Sequence, residues 1–232
     1  MSKTESARWP AAVVFDLDGT LVDSAGDMTS SVNDLLASRQ LAPFSEAQIR
    51  GFVGDGSHAL VKRAFATRHV DLNADELHAA VASYDAIYGT RLVEKTSVYS
   101  GAMQVLADLK ARGVALGICT NKFQDKAIGV ADALGLSRYV DVVIGGRPDR
   151  PNKPSPVMLL MTLDLLGIKP ADAIMVGDSV FDVQCAKAAQ VAMIGVSFGY
   201  TQTPMRDLGP NAVIDSYAQF DAACASLRTK AA

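Results

Sequence analysis

Cysteine is scarce in this sequence, with three residues, Cys119, Cys185 and Cys224, spread over 232 positions. They form no Cys-x-x-Cys pair and no regular spacing with histidine, which excludes the usual zinc motifs. An odd number of scattered cysteines also argues against a disulfide framework and is typical of buried thiols in a reducing compartment. We therefore expect the protein to be cytoplasmic.

An excess of positive charge and long apolar runs are lacking as well. The formal net charge is −3, so we expect neither a nucleic-acid partner nor binding to an anionic membrane. Apolar runs such as residues 191–196 fall far short of the roughly 20 residues that a membrane-spanning helix needs. Residues 1–10 contain no apolar segment of the kind found in signal peptides, so we expect no secretory signal.

What the sequence does contain is an alternation of short apolar runs with segments of helical pattern. Each apolar run ends at a turn or a polar residue, as a buried strand does. Strands that alternate with helices pair in parallel, so the pattern predicts an α/β fold whose parallel sheet is covered by helices on both faces. The predicted strands are residues 11–15, 114–119, 140–144, 173–176, 191–196 and 212–214, and the predicted helices between them are 101–112 with Ser100 as N-cap, 122–134, 156–166 and 181–189.

Residues 24–92 break this alternation because they carry helical patterns only. Ser45 and Asn73 are each followed three residues later by Gln or Glu, which is the capping-box signature of a helix start. A helical insertion after the first strand of an α/β core predicts a separate small domain, with hinges near Asp23 and residues 93–97. The predicted domains are a core, residues 1–23 and 93–232, and an all-helical cap, residues 24–92.

Two aspartates close the first predicted strand, in the run Asp16-Leu17-Asp18-Gly19-Thr20. Side chains two residues apart on a strand point to the same face, so these carboxylates repel each other unless a divalent cation is bound between them. Gly19 permits a sharp turn where the sheet ends. The alternative is an ordinary strand-ending turn rich in Asp and Gly.

A second acidic segment, Gly177-Asp178-Ser179, follows the strand predicted at residues 173–176 and is itself followed by Asp182. Ligands of open α/β sheets bind at the carboxyl ends of the strands, where Asp178 would offer magnesium another oxygen ligand. The alternative is that Asp178 or Ser179 only caps the next helix.

Thr120 and Asn121 stand just beyond another predicted strand, and Lys153 precedes Pro154 in a long loop. The hydroxyl of Thr120 and the backbone N–H of Asn121, at the expected start of the next helix, would form an anion site. Lys153 is a compact cation that could bind phosphate or neutralise the acids. Each residue is common by itself, but all of these segments lie at or beyond the carboxyl ends of strands, which predicts a single crevice.

These four segments, in this order, resemble the motifs of the haloacid dehalogenase superfamily of phosphohydrolases, and the resemblance spans nearly the whole chain. It implies a Rossmann-like core with a small helical cap inserted after the first motif. The dehalogenases themselves typically have Tyr at the position of Asp18. The resemblance therefore implies transfer of a phosphoryl group from a small phosphate ester.

The resemblance also implies roles for individual residues. Asp16 would attack phosphorus and form an aspartyl-phosphate, and Asp18 would act as general acid and then as general base. Mg²⁺ would be held by Asp16, the backbone carbonyl of Asp18, and Asp178. The residues expected to bind the oxygens of the transferred phosphoryl group are Thr120, Asn121 and Lys153. Those expected to support the site are Gly19, Thr20, Ser179 and Asp182. Asp182 would do so by positioning Lys153 or by supporting the metal.

The segment from Arg50 to Ser57 resembles the glycine-rich cap loop of bacterial phosphoglycolate phosphatases, which implies 2-phosphoglycolate as the substrate. Arg50, Ser57 and the backbone N–H groups of the loop would receive its carboxylate, although an ordinary helix–helix loop has a similar composition. Lys62 and Arg63 are the other cations near this loop. Arg147 stands where that subfamily often has Asp, a departure that bears on the substrate more than on catalysis.

Other functions stay open at this point. A sugar phosphatase, a pyrophosphatase or a phosphomutase of the same fold would keep the same acids, whereas a non-catalytic binding module would keep only the fold. The intact set of Asp16, Asp18, Lys153 and Asp178 argues against the binding module, since a binder needs no nucleophile. The oligomeric state is open between monomer and homodimer.

Overall fold

The structure of the chain, a computed structural model, describes residues 9–228. The expectation of no secretory signal rests mainly on residues 1–8, which lie outside the described residues, as do residues 229–232 of the predicted core. None of the helices in the described part combines the length and the apolar character needed to cross a bilayer. The strands are β1 (Ala12–Phe15), β2 (Val22–Asp23), β3 (Ser97–Val98), β4 (Ala115–Phe123), β5 (Val142–Gly146), β6 (Ala173–Gly177), β7 (Ala192–Val196) and β8 (Ala212–Ile214).

Six of these strands form one sheet in the order β5-β4-β1-β6-β7-β8, and every neighbouring pair is parallel. This confirms the predicted α/β class and its Rossmann-like parallel sheet. Each of these six strands is predicted by the sequence, because strands covered on both faces appear as continuous apolar runs. The central strands β1 and β6 are buried at every residue.

Strand β4 is longer than the sequence predicts. It continues through Asn121 and Lys122 to Phe123, with an irregular register between Cys119 and Phe123. The next helix begins at Gln124, so the predicted helix start at Lys122 is wrong. The physical reason is tertiary, because the side chains of Asn121 and Lys122 are held by residues far away in sequence.

Helices cover both faces of the sheet. On one face, α5, α6 and α9 contribute to a hydrophobic cluster with β1, and on the other face α7 and α8 contribute to a second cluster. The two clusters sandwich the sheet, as the prediction from the apolar runs requires. The helices are α1 (Ala25–Ala37), α2 (Glu46–Arg50), α3 (Ser57–Thr67), α4 (Ala74–Gly89), α5 (Ala102–Ala111), α6 (Gln124–Ala133), α7 (Val157–Leu166), α8 (Val180–Ala189) and α9 (Phe220–Arg228).

The predicted N-cap of α5 is wrong. The cap residue is Gly101, which has a φ of 84° and makes no side-chain cap hydrogen bond, while Ser100 is exposed one position earlier. A left-handed φ costs glycine nothing, so the chain enters the helix through Gly101 without needing a serine hydroxyl.

Helices α1 to α4 bury a hydrophobic cluster of their own, which includes Phe65. Both predicted capping boxes are present, one at Ser45 with its Gln and one at Asn73 with its Glu. We call this helical unit, residues 25–89, the cap. Its separate cluster agrees with a small helical domain, while the exact domain limits stay a prediction.

The two segments that join the cap to the core pair with each other. Strands β2 and β3 form a two-stranded antiparallel ribbon, which the sequence does not predict because two residues are too few to show a periodic pattern. Asp27, at the start of α1, accepts hydrogen bonds from the backbone N–H groups of Lys95 and Thr96. The two linkers are therefore fastened to each other and to the start of α1.

Candidate active site

The carboxyl ends of three adjacent strands bring the predicted residues together. Asp16 follows β1, Asp178 follows β6, and Thr120 lies in β4 on the other side of β1. All three side chains are buried. The predicted convergence at one edge of the sheet is therefore present, because β1 pairs in parallel with both β4 and β6.

Lys153 lies in the middle of this arrangement and is 2% exposed. Its Nζ is 2.8 Å from Oδ1 of Asp16 and 2.6 Å from Oδ1 of Asp182, and it donates to the carbonyl oxygen of Cys119 at 3.0 Å. Burial alone would lower the pKa of Lys153, but the charges of Asp16 and Asp182 raise it well above its usual value. The ammonium is therefore a fixed positive charge beside Asp16.

Asp182 holds Lys153 in place. It is fully buried, and its second oxygen accepts hydrogen bonds from the backbone N–H and the hydroxyl of Ser179, which caps α8. Of the two roles that the sequence leaves open for Asp182, the geometry supports the positioning of Lys153. The predicted helix cap at Ser179 is present as well, with Asp182 as its capping-box partner.

The acids of this cluster outnumber the cations. Carboxylate oxygens of Asp16, Asp178 and Asp182 lie within 4.8 Å of one another, and only the ammonium of Lys153 pairs with this group among the described residues. Burial raises the pKa of Asp16 to about 6, against the opposing effect of Lys153. Burial also raises the pKa of Asp178 well above its usual value, and the charges of Asp182 and Asp16 add to the effect.

Three carboxylates against one ammonium leave an excess of two negative charges when the cluster is ionised, which one divalent cation would balance. Asp182 accepts on both oxygens, from Lys153 and from Ser179, whereas Asp178 accepts from the backbone N–H of Tyr200 at 2.6 Å and Asp16 faces Lys153. Oδ1 of Asp16 is buried and accepts no well-oriented hydrogen bond in the described part of the chain. A set of hard carboxylate oxygens fits Mg²⁺.

Gly19 makes room for Asp178. It has a φ of +84°, and a Cβ at this position would lie 2.4 Å from Oδ2 of Asp178. Thr20 follows it and places its hydroxyl 3.4 Å from Oδ1 of the same carboxylate. The turn after β1 thus needs glycine both for its backbone conformation and for the close approach.

The side chains of Asp16 and Asp18 pair with different lysines. Both oxygens of Asp18 pair with Nζ of Lys122, at 2.9 and 3.0 Å, and one also accepts from the hydroxyl of Ser24 at 2.6 Å. Lys122 thus occupies both oxygens of Asp18, and a cation between the carboxylates of Asp16 and Asp18 stays a prediction.

Lys122 is a site residue that the sequence reasoning missed. The sequence predicts a helix start at Lys122 and therefore does not assign it to the site. With the strand extended, the spacing of two residues from Thr120 would place both side chains on one face. Its side chain is 5% exposed, and its Nζ lies 4.5 Å from the ring centroid of Tyr88 on α4. Lys122 thus links the core to the cap.

Asn121 has a different position from the predicted one. Its side chain accepts from the backbone N–H of Lys153 at 2.8 Å and donates to the carbonyl oxygens of Lys153 and Gly54, at 3.0 and 2.9 Å. Because α6 begins at Gln124, the N–H of Asn121 does not lie at a helix start. The side chain instead fastens the Lys153 loop and the cap loop to β4.

The predicted cap residues divide between the cavity and its surroundings. Ser57, the first residue of α3, lines the same cavity as Asp16 and Thr120. Arg50 does not line it and instead pairs with Asp23 at 2.7 Å, beside the ring of Tyr200. Arg50 also lines a neighbouring cavity that reaches Asp18 and Asp178, and contact between Arg50 and the substrate stays a prediction.

The cavity between cap and core measures about 40 Å³. Arg147 is exposed and lies outside it, on a neighbouring cleft. The reversed charge at this position therefore does not face the acids directly. The residues that line the inner cavity are Asp16, Asp18, Met28, Val53, Gly54, Gly56, Ser57, Leu60, Tyr84, Tyr88, Thr120, Asn121, Lys122 and Lys126.

Comparison with known proteins agrees with this geometry. The model of the haloacid dehalogenase-like hydrolases matches residues 13–196. The chain is 42% identical to a phosphoglycolate phosphatase of Rhodospirillum rubrum over 213 residues, which cover 90% of this chain and 88% of that protein. It is 36% identical to a phosphoglycolate phosphatase of Caulobacter vibrioides over 219 residues, covering 94% and 92%.

Solved structures share the fold over the same length. The crystal structure of a predicted phosphoglycolate phosphatase from Haemophilus somnus superposes with a TM-score of 0.84 at 28% identity, covering 91% of this chain and 96% of that one. A predicted phosphatase from Clostridium acetobutylicum superposes with a TM-score of 0.80 at 25% identity, covering 94% and 98%.

Proposed function

The chain belongs to the haloacid dehalogenase-like hydrolase family and is a phosphatase, and from this premise we propose that it hydrolyses 2-phosphoglycolate to glycolate and phosphate. The observation that carries the proposal is the pairing of Lys153 with Asp16 in a buried acidic cluster beneath a small cavity. Phosphatases of this family act on small phosphate esters.

Each step of the proposed reaction is assigned to a residue of the cluster. Asp16 attacks phosphorus, and the bond to the leaving oxygen breaks as Asp18 gives that oxygen its proton. Asp18 then takes a proton from water, which attacks the aspartyl-phosphate and releases Asp16. Thr120 and Lys153 hold the phosphoryl oxygens, where fixed charge stabilises the transition state.

Mg²⁺ is part of the proposal. Asp16 and Asp178, with the backbone carbonyl of Asp18, would hold it, and when bound it would shield the attacking carboxylate from the negative charge of the phosphate. The support lies in the excess of buried negative charge in the cluster. Asp182 keeps Lys153 beside Asp16, because it is fully buried and pairs with the same ammonium at 2.6 Å.

Two observations favour 2-phosphoglycolate over larger esters. The inner cavity beside Asp16 and Thr120 is small, about 40 Å³, which favours a compact ester over a sugar phosphate. The relatives with the highest identities quoted above carry the name phosphoglycolate phosphatase. Together they favour a two-carbon leaving group with a carboxylate.

A substrate panel tests the proposal. Phosphate release is measured from 2-phosphoglycolate, a hexose 1-phosphate, a hexose 6-phosphate and pyrophosphate, each with Mg²⁺ and with EDTA. We expect the highest kcat/KM for 2-phosphoglycolate and loss of activity with EDTA. A higher kcat/KM for a sugar phosphate or pyrophosphate would contradict 2-phosphoglycolate as the substrate. Isomerised hexose phosphate would indicate a mutase. Full activity in EDTA would contradict the role of the metal.

A further inference from the structure

Recognition of the substrate by the cap would require cationic side chains of the cap to face the cavity. The cations of the cap loop are instead paired with acids. Arg50 pairs with Asp23 and Glu46, and Arg63 pairs with Asp55. Within residues 9–228, the cationic side chains that line the cavity are Lys122 and Lys126, both from the core. A carboxylate in this cavity therefore meets positive charge from the core side.

Lys122 lies close to the position that the carboxylate of the substrate would take beside Asp18. A general acid must approach the leaving oxygen to about 2.6–3.2 Å, and Nζ of Lys122 is 2.9 Å from the nearer oxygen of Asp18. In 2-phosphoglycolate a single CH₂ group separates the leaving oxygen from the carboxylate carbon. An ester oxygen beside Asp18 thus brings the carboxylate within reach of the ammonium.

Tyr88 supplies a second, independent indication of a ligand. It is 2% exposed and lines the same cavity, and its hydroxyl has no hydrogen-bond partner in the described part of the chain. Burial raises the pKa of Tyr88 well above its usual value, so the hydroxyl keeps its proton. A buried donor without a partner carries a free-energy cost, which an acceptor on a bound molecule would remove.

The ring of Tyr88 also restrains Lys122. The ammonium lies 4.5 Å from the ring centroid. The cap therefore contacts the core at the positive charge that would bind the carboxylate of the substrate. Lys126 differs, because it pairs with Asp125 at 3.0 Å and its side chain is 21% exposed. The better-placed cation of the two is Lys122.

Building on the proposed function, we propose that Lys122 and the hydroxyl of Tyr88 form the site that binds the substrate carboxylate and so determine the selectivity of the enzyme. The ammonium of Lys122 then lies between the carboxylate of the substrate and the carboxyl group of Asp18. The hydroxyl of Tyr88 donates to the substrate from the cap side. Recognition in this protein thus depends on a core lysine and a cap tyrosine rather than on a cap arginine.

A pair of substrates that differ only in the charged group tests this proposal. kcat/KM is measured for 2-phosphoglycolate and for 2-hydroxyethyl phosphate, in which a CH₂OH group replaces the carboxylate. Lys122→Met should lower the ratio of the two kcat/KM values about 10- to 100-fold, the range expected for loss of a charged hydrogen bond. Tyr88→Phe should lower it less, and Lys126→Met, the matched control, should leave it unchanged.

The ratio separates recognition from a structural role. If Lys122 only positioned Asp18, its loss would slow both substrates equally and the ratio would stay the same, which would overturn the proposal. A lower ratio in Lys126→Met, together with an unchanged ratio in Lys122→Met, would also overturn the proposal. Lys122→Gln replaces the Met variant if circular dichroism shows that the latter does not fold, and Lys122→Arg should restore part of the ratio.

The same data distinguish this proposal from the one on which it rests. A wild-type enzyme that shows no preference for 2-phosphoglycolate over 2-hydroxyethyl phosphate contradicts the proposed function. A wild-type preference that survives in Lys122→Met contradicts only the assignment of the carboxylate site.

Discussion

Asp85 on α4 shows how burial changes a single side chain near the cavity. Burial raises its pKa to about 6, and a hydrogen bond from Ser57 opposes the shift. Oδ1 of Asp85 is buried and has no hydrogen-bond partner within residues 9–228. A carboxylate whose pKa is higher in the folded than in the unfolded state makes folding less favourable as the pH rises from the unfolded to the folded pKa, and the full cost is present above the folded value.

Asp85→Asn should therefore stabilise the protein at neutral pH. The wild type loses stability between about pH 4 and pH 6, where Asp85 ionises in the unfolded chain before the folded one, and the neutral amide avoids this loss. We expect the melting temperature of the variant to exceed that of the wild type by about 1–2 °C at pH 7.5, a figure reduced for the partial exposure of Asp85. Thermal melts at pH 5 should show a smaller gap, and an equal gap at both pH values would contradict the assignment.

Residues whose partners are distant in sequence are those that the sequence could not predict. Asp18 and Asp178 follow apolar runs, so their place at strand ends was predictable. Lys122 binds Asp18 across 104 positions, and no local pattern reports that distance. Arg50 looks like a substrate cation in the sequence, but Asp23, brought close only by the fold, pairs with it.

At the scale of elements, the β2–β3 ribbon is the least predictable and the most consequential feature. Asp27 fastens it, since its side chain is fully buried and accepts from the N–H of Lys95 at 3.0 Å and from the N–H and hydroxyl of Thr96 at 2.8 and 2.6 Å. Removal of this carboxylate leaves several buried donors without an acceptor.

Asp27→Ala should lower the melting temperature by about 4–10 °C, from roughly 2–3 kcal/mol of lost charged hydrogen bonds. Ser30→Ala is the matched control, because it removes an exposed hydrogen bond from Lys95 between the same two segments and should shift the melting temperature by about 1 °C or less. Calorimetry compares the two variants, and equal shifts would show that Asp27 does not fasten the linkers.

The six sheet strands were predictable because each is a short apolar run, and two of the cap helices, α2 and α4, because their capping boxes are local signals. The extension of β4 and the ribbon were not, since contacts rather than propensity create them. Ser100 marks the opposite error, where a favourable cap residue is bypassed because Gly101 can adopt the turn.

For the whole molecule, parallel pairing is what makes the site. Strands β4, β1 and β6 are neighbours, so segments that are far apart in sequence end at one edge, and this much follows from the α/β pattern. The position of the cap over that edge does not follow from any pattern, because the ribbon and Lys122 determine it. The cytoplasmic location, the absence of nucleic-acid and membrane partners, and the choice between monomer and homodimer stay predictions.

The central claim is that Asp16 attacks phosphorus within the buried acidic cluster, and phosphate release by Asp16→Asn tests it most directly. The neutral side chain relieves repulsion among the acids and leaves Lys153 paired with Asp182, so the melting temperature should be equal to or above that of the wild type. Release from 2-phosphoglycolate should fall to less than roughly a thousandth of the wild-type rate. A folded Asp16→Asn variant that keeps a tenth of the activity or more would contradict the claim.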